Sequence, residues 1–118
     1  MKYRRGDVVR AAYPMATGVG AGLRPCVVIQ NDDDNKKIAN TVVAQITTNL
    51  ARAGDNSHVL IQISTHEGQQ AGLIHDSVIS CNNLATINEI RIQSRIGTLG
   101  PITIKEVNAA LKAALELP

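Results

Sequence analysis

RPCVVIQND, Arg24 to Asp32, is followed nine residues on by TVVAQITTN, Thr41 to Asn49. Both stretches are runs of apolar, largely β-branched residues of strand length, with polar residues at their ends. Arg24 stands at the mouth of the first run, directly before Pro25, and Thr47 and Thr48 close the second. An apolar core has no use for an arginine and a threonine pair at strand mouths, whereas a phosphate-binding cleft does. If the two strands lie side by side, these groups converge on one phosphodiester. Arg24 alone has two readings: a side chain snorkelling from a strand end, or a guanidinium fork aimed at a phosphate.

Working outward, RGDVVRAAYP (5–14) reads as a first strand, entered after Gly6 and closed by Pro14. MATGVGAGL (15–23) reads as a Gly-rich loop. It lacks the Gly-Lys-Ser/Thr ending of a phosphate loop, and a strand follows where a helix would open. Residues 23–30 form a second strand and 31–40 a polar connection. The acid run Asp32 to Asp34 lacks the alternating oxygens, glycine and late glutamate of a calcium loop, so it reads as a solvated turn. Strands follow over 41–47, 57–63 and 72–81, with a long loop at 49–56 and a turn at 64–70. Residues 82–90 read as irregular, and 91–99 as a short last strand with Arg91 and Arg95 on one face.

At Gly100 the period changes. Ile104, Val107, Leu111 and Leu115 recur at helical spacing with alanines between them. Gly100 suits the N-cap and Pro101 the first helical position. The pattern therefore predicts a small, strongly bent antiparallel sheet or barrel of five or six strands, covered by one C-terminal amphipathic helix.

A chain of 118 residues suffices for one domain with one core, taken here as 1–118. The formal charge of +2 permits a polyanionic partner without demanding one. No apolar run is long enough for a membrane span, and charged residues after Met1 take the place of a signal peptide. The expectation is a cytoplasmic protein with no membrane partner. Cys26 and Cys81 lie in apolar runs without metal-ligand spacing and read as reduced, buried small hydrophobes. His58, His66 and His75 have neither metal-ligand spacing nor a carboxylate cluster, so neither a metal nor a cofactor is expected. His58 opens a strand beside a long loop and reads equally as a ligand contact or a strand-edge residue; His66 and His75 read as solvated. No G-x-S-x-G elbow is present. With two tyrosines and no Phe or Trp, the chain cannot build the aromatic platform on which many RNA-binding domains stack bases.

The ordered series RRGDVV, a Gly-rich loop, RPCVVIQND, TVVAQITTN, HVLI, GLIHDSVISC and RIGTLGPITIKEVNAALKAAL resembles the MazF/PemK toxins of bacterial toxin–antitoxin systems over nearly the whole length. The resemblance implies an SH3-like β-barrel of the CcdB/MazF-like kind with a C-terminal helix, working as a homodimer. It implies a metal-independent endoribonuclease that cuts single-stranded RNA, chiefly mRNA, by attack of a 2′-OH on the adjacent phosphate. The family's arginine of the R-P strand and threonine closing the next strand fall on Arg24 and Thr47, with Thr48 able to support or replace Thr47. Base recognition is then expected from Gly20 and Gly22 of the first loop, from Asn31, from Arg52 of the second loop, and from His58. Asn82 and Asn83 read either as base-edge contacts or as a polar turn, and Asn83 is taken as an RNA contact. A cognate antitoxin is the second implied partner, its disordered tail ordering across the same cleft.

Ala85-Thr86-Ile87-Asn88 stands where many relatives carry R-T-I-D. The roles assigned to that arginine and aspartate therefore do not carry over. Two rival readings follow from the same residues. One is a CcdB-like gyrase inhibitor, against which stands an LELP terminus without tryptophan. The other is a non-catalytic SH3-like binding module or decayed toxin, which the departure at Ala85 and Asn88 favours and the retention of Arg24 and Thr47 opposes.

Overall fold

Six strands hydrogen-bond in the order β4-β5-β3-β2-β1-β6, each neighbouring pair antiparallel. They are β1 (Asp7–Pro14), β2 (Ala21–Val28), β3 (Asn40–Thr47), β4 (His58–Ile61), β5 (Ser77–Asn88) and β6 (Ile92–Thr98), with helices α1 (Asp32–Lys37), α2 (His66–Ala71) and α3 (Pro101–Leu115). This computed structural model describes residues 1–14 and 21–118, with Ala21 described by its backbone alone. Most of the Gly-rich segment, Gly20 included, lies outside the described residues. Among the described residues the sheet is open, with β4 and β6 at its edges. A mainly β chain with a terminal helix is thus what the sequence pattern anticipated.

Both faces of the sheet are apolar, because strand neighbours alternate between two cores. Val8, Val27, Ala44, Ile46, Val59, Ile61, Ile79 and Cys81 face α2 and α3. Val9, Ala11, Tyr13, Cys26, Val28, Val43 and Ile87 face the other way and are covered by Tyr3, Met1 and Ile92. Helix α3 starts as its sequence directs, with Gly100 at the N-cap and Pro101 in the first turn. It buries Thr103, Val107 and Ala110, with Ile104, Leu111 and Ala114 packed beside them. Leu115, expected on that stripe, is exposed because the helix ends there and Glu116 turns into the left-handed region at φ 55°.

Three local expectations change. The polar connection 31–40 contains α1, capped by Asn31 and carrying Asp32, Asp33 and Asp34 in its first turn, where the positive end of the helix favours acids. The turn 64–70 contains α2, capped by Thr65 and closed by Gly72 at φ 75°. A Cβ on Gly72 would collide with the Ile96 carbonyl, so glycine is required there twice over. Finally, the fifth strand begins at Ser77 instead of residue 72 and continues through the segment read as irregular, to Asn88. Arg91 belongs to a 3-10 turn (Glu89–Arg91) before β6, so it does not share a strand face with Arg95.

Candidate active site

The β2–β3 ladder sets Cys26 opposite Gln45, Val27 opposite Ala44 and Val28 opposite Val43. The ladder ends at Cys26 and Gln45, and a register continued two residues beyond that end would bring Arg24 and Thr47 to the same row. Directly opposed residues share a face, with Cβ atoms about 5 Å apart. That face is the one bearing Cys26, Val43 and Tyr13, since Val27, Ala44 and Ile46 belong to the core under α3. On its other side Arg24 faces Ala11 of β1, which is buried and small and leaves the long side chain exposed above it.

The two side chains are presented differently. Arg24 folds back along its own strand: its Nε lies 3.7 Å from where a Cβ on Gly22 would sit. Gly22 is therefore part of β2, opposite Tyr13, and the first loop is shorter than its sequence pattern implied. Thr47 is half-buried, and its Oγ1 accepts a hydrogen bond from the Asn49 backbone N–H at 3.1 Å. Accepting that bond fixes the rotamer and leaves the O–H as a donor. Asn49 in turn accepts from Ala51 N–H at 3.1 Å, which tightens the turn after β3.

Beneath the pair lies a hydrogen-bonded floor. Tyr13 donates from its hydroxyl to the Asn83 carbonyl at 2.8 Å, with Asn83 Oδ1 at 3.1 Å. Asn83 donates from Nδ2 to Gln45 Oε1 at 2.6 Å. Asn83 belongs to β5 and not to a polar turn. It lies where the β3–β5 register jumps, Ala44 pairing with Leu84 but Gln45 with Ser80. This bulge turns the Asn83 side chain toward Gln45. Burial, with Cys26 nearby, pushes the Tyr13 hydroxyl up to about 12, so it remains a donor throughout the physiological range. Burial likewise pushes the Cys26 thiol up to about 12 and the Cys81 thiol to about 11. Both are free and buried, which makes them packing groups and not nucleophiles.

The other sequence-nominated residues are distributed more widely. His58 starts edge strand β4 opposite Ser80, which itself opposes Gln45, so His58 lies two strands from Gln45 in one row. That is roughly 10 Å. Its Nδ1 is 3.0 Å from Ser57 Oγ. Thr48 lies one residue beyond Thr47 and lines a cavity of about 190 Å³ with Arg10, Pro25, His75 and Ser77. By strand alternation, Arg10 and Pro25 belong to the face opposite Arg24. Arg52 is exposed, with its Nε 2.6 Å from Asp55 Oδ2. Asn31 is the α1 cap: its Oδ1 accepts from Asp34 N–H at 2.8 Å and its Nδ2 donates to Asp34 Oδ2 at 2.9 Å. It follows the far end of β2, seven residues from Arg24, roughly 20 Å along an extended chain. Gln45 was missed from the sequence, where it is one polar residue inside an apolar strand. Among the described residues no group of three His, Cys, Asp or Glu side chains is arranged to hold a metal ion.

The family model described as the PemK-like, MazF-like toxin of type II toxin–antitoxin systems matches residues 4–115. The chain belongs to this family. It is 36% identical over 115 residues to the endoribonuclease MazF of Staphylococcus saprophyticus, a match covering 97% of this chain and 92% of that protein. Solved structures share the fold. A mycobacterial endoribonuclease in complex with its cognate antitoxin superposes with a TM-score of 0.79 at 24% identity, covering 98% of this chain and 97% of that one. The Mycobacterium tuberculosis toxin MazF-mt6 gives 0.77 at 23% identity over 95% and 98%. A MazE–MazF structure from Deinococcus radiodurans gives 0.75 at 16% identity over the full length of both chains.

The departure from R-T-I-D can now be located within this PemK-like, MazF-like chain. Ala85 opposes Val43 and packs against the second core, while Asn88 caps the 3-10 turn by accepting from Ile90 N–H at 3.1 Å. Val43 is four residues from Thr47 along β3, roughly 13 Å. Both departing positions are structurally accommodated, and neither touches the Arg24–Thr47 row.

Proposed function

We propose that this toxin is a metal-independent endoribonuclease that cleaves single-stranded RNA, chiefly mRNA, at a short sequence, with Arg24 and Thr47 as its catalytic residues. The observation that supports this reading is that exposed Arg24 and half-buried Thr47 each lie two residues beyond the same end of the β2–β3 ladder. A 2′-OH attacks the adjacent phosphorus, the bond to the 5′ oxygen of the next nucleotide breaks, and a cyclic phosphate and a free 5′-OH result. Negative charge builds on the non-bridging oxygens as the fifth bond forms. A guanidinium fork from one strand and a hydroxyl donor from the next meet that charge from two directions. Arg24 acts as a donor and not as a base, because a guanidinium keeps its proton. RNA-binding contacts come from His58 and the loop carrying Arg52, by hydrogen bonds and charge, since Tyr3 and Tyr13 are both buried and offer no stacking surface.

The protein works as a homodimer in the cytoplasm, as one domain over 1–118. Its partner is a cognate antitoxin whose tail lies across the same face and so competes with RNA. In support, no helix among the described residues is long and apolar enough to cross a membrane. The similar mycobacterial endoribonuclease was solved in complex with its cognate antitoxin, and the Deinococcus radiodurans structure pairs MazF with MazE. The test is incubation of a long single-stranded RNA with pure protein in excess EDTA, beside Arg24→Ala. Discrete fragments from the wild type alone uphold the reading. Intact RNA with a folded wild type overturns it, and cleavage that needs added metal overturns the metal-independent step.

A further inference from the structure

We propose that Gln45 is a base-reading residue of this site, presenting amide N–H donors to a carbonyl-bearing edge of a nucleotide next to the scissile phosphate. The proposal rests on the nuclease reading above and names a specificity determinant within it. Gln45 lies two residues before Thr47 on β3, and so on the same face. In its row it stands between Cys26 and Ser80, and it is half-buried, reaching the surface beside the catalytic pair.

The orientation of its amide follows from a chain of three side chains. Tyr13 is 2% exposed and its hydroxyl meets two oxygens of Asn83, the carbonyl and Oδ1. The hydroxyl has one hydrogen, and the nearer oxygen, the carbonyl, receives it. Asn83 lies with Oδ1 toward Tyr13 and Nδ2 toward Gln45, to whose Oε1 it donates at 2.6 Å. With Oε1 held inward, the Gln45 Nε2 and its two hydrogens are left pointing away from the network. A fixed amide donor beside a phosphate-binding pair suits an acceptor on the neighbouring base. Uracil, cytosine and guanine carry a carbonyl oxygen, and adenine carries none. A fold that needed only packing at this place would be served by an apolar residue, without a buried tyrosine hydroxyl linked through two half-buried amides.

The experiment is cleavage of a randomised single-stranded RNA pool, with sequencing of the fragment ends, for wild type, Gln45→Met, Gln45→Glu and Tyr13→Phe. Wild type is expected to disfavour adenine at one position beside the cut by about fivefold or more. Gln45→Met is expected to cut with that preference lost. Gln45→Glu keeps an oxygen for Asn83 but offers acceptors to the base, so preference at that position shifts away from uracil, which has no exocyclic amine, toward adenine, cytosine and guanine. Tyr13→Phe frees Asn83 and weakens the preference at the same position, whereas a merely structural defect lowers all cleavages together. A wild-type pattern in both Gln45 variants overturns the role of Gln45 and leaves the nuclease reading intact. Should Gln45→Met fail to fold, the near-isosteric Gln45→Glu carries the test. A folded wild type that cuts no RNA overturns both readings.

Discussion

Cys26 stands directly opposite Gln45 as the last pair of the β2–β3 ladder, and Arg24 and Thr47 each lie two residues beyond that end. The chemistry proposed here depends on both side chains and on their separation. Arg24→Ala and Thr47→Ala should each lower single-turnover cleavage, Arg24→Ala by on the order of a hundredfold or more. Arg24→Lys should not restore it, because an ammonium lacks the planar fork. Thermal melts of all three variants should match the wild type. Wild-type rates in any one of them would remove that residue, or the fork, from the mechanism.

Asn31 gives a contrasting expectation. Its side chain caps α1 at the far end of β2, so Asn31→Ala should cost about 1 kcal/mol of stability with cleavage intact. Urea denaturation alongside the cleavage assay separates the two effects. Lost cleavage at undiminished stability would instead return Asn31 to the RNA-binding set.

Gly72→Ala should be among the most damaging small substitutions, since it combines a left-handed backbone with a collision against the Ile96 carbonyl. A loss of about 2 kcal/mol or more is expected. Gly54→Ala, with nothing within 4 Å of the added carbon, should change stability by less than about 0.5 kcal/mol. Equal midpoints for the two variants in urea would contradict this packing.

Alkaline pH should unfold the protein through its buried acids. Tyr13 and the two thiols are held above their ordinary values, at about 12, 12 and 11. The unfolded chain then releases protons first, and stability falls as pH rises. The contribution is fully present below about pH 8 and fades as pH climbs toward 12, each group adding at most about 1.4 kcal/mol per pH unit between its unfolded and folded values. Denaturation midpoints measured from pH 8 to 11 should decline steadily. In the native state at neutral pH, neither cysteine should react with a thiol reagent, and both should on unfolding.

Strands β1, β2, β3 and β4 and helix α3 were legible because each carries one clear period or one uninterrupted apolar run. The condition set for Arg24 and Thr47, that their two strands lie side by side, is met by the antiparallel β2–β3 ladder. Helices α1 and α2 were hidden because six residues are too few to display a helical period. Their caps, Asn31 ahead of three aspartates and Thr65 ahead of His-Glu-Gly, were the available signals. The second half of β5 was hidden because paired asparagines read as loop, when in fact they occupy a bulge. Gln45 was hidden for the same reason: its partner Asn83 is 38 residues away, and only the register jump brings them together.

That bulge has a consequence for how such a protein can change. On one side of it the ladder runs from Gln45 to Thr47, and on the other from Asn40 to Ala44. Of the residues inserted between Ser80 and Leu84, Cys81 is fixed in the core and Asn83 reaches Gln45. Substitutions there can alter what Gln45 is offered without shifting Arg24 or Thr47. Preference for a target and competence to cut it can therefore drift independently, one amide at a time.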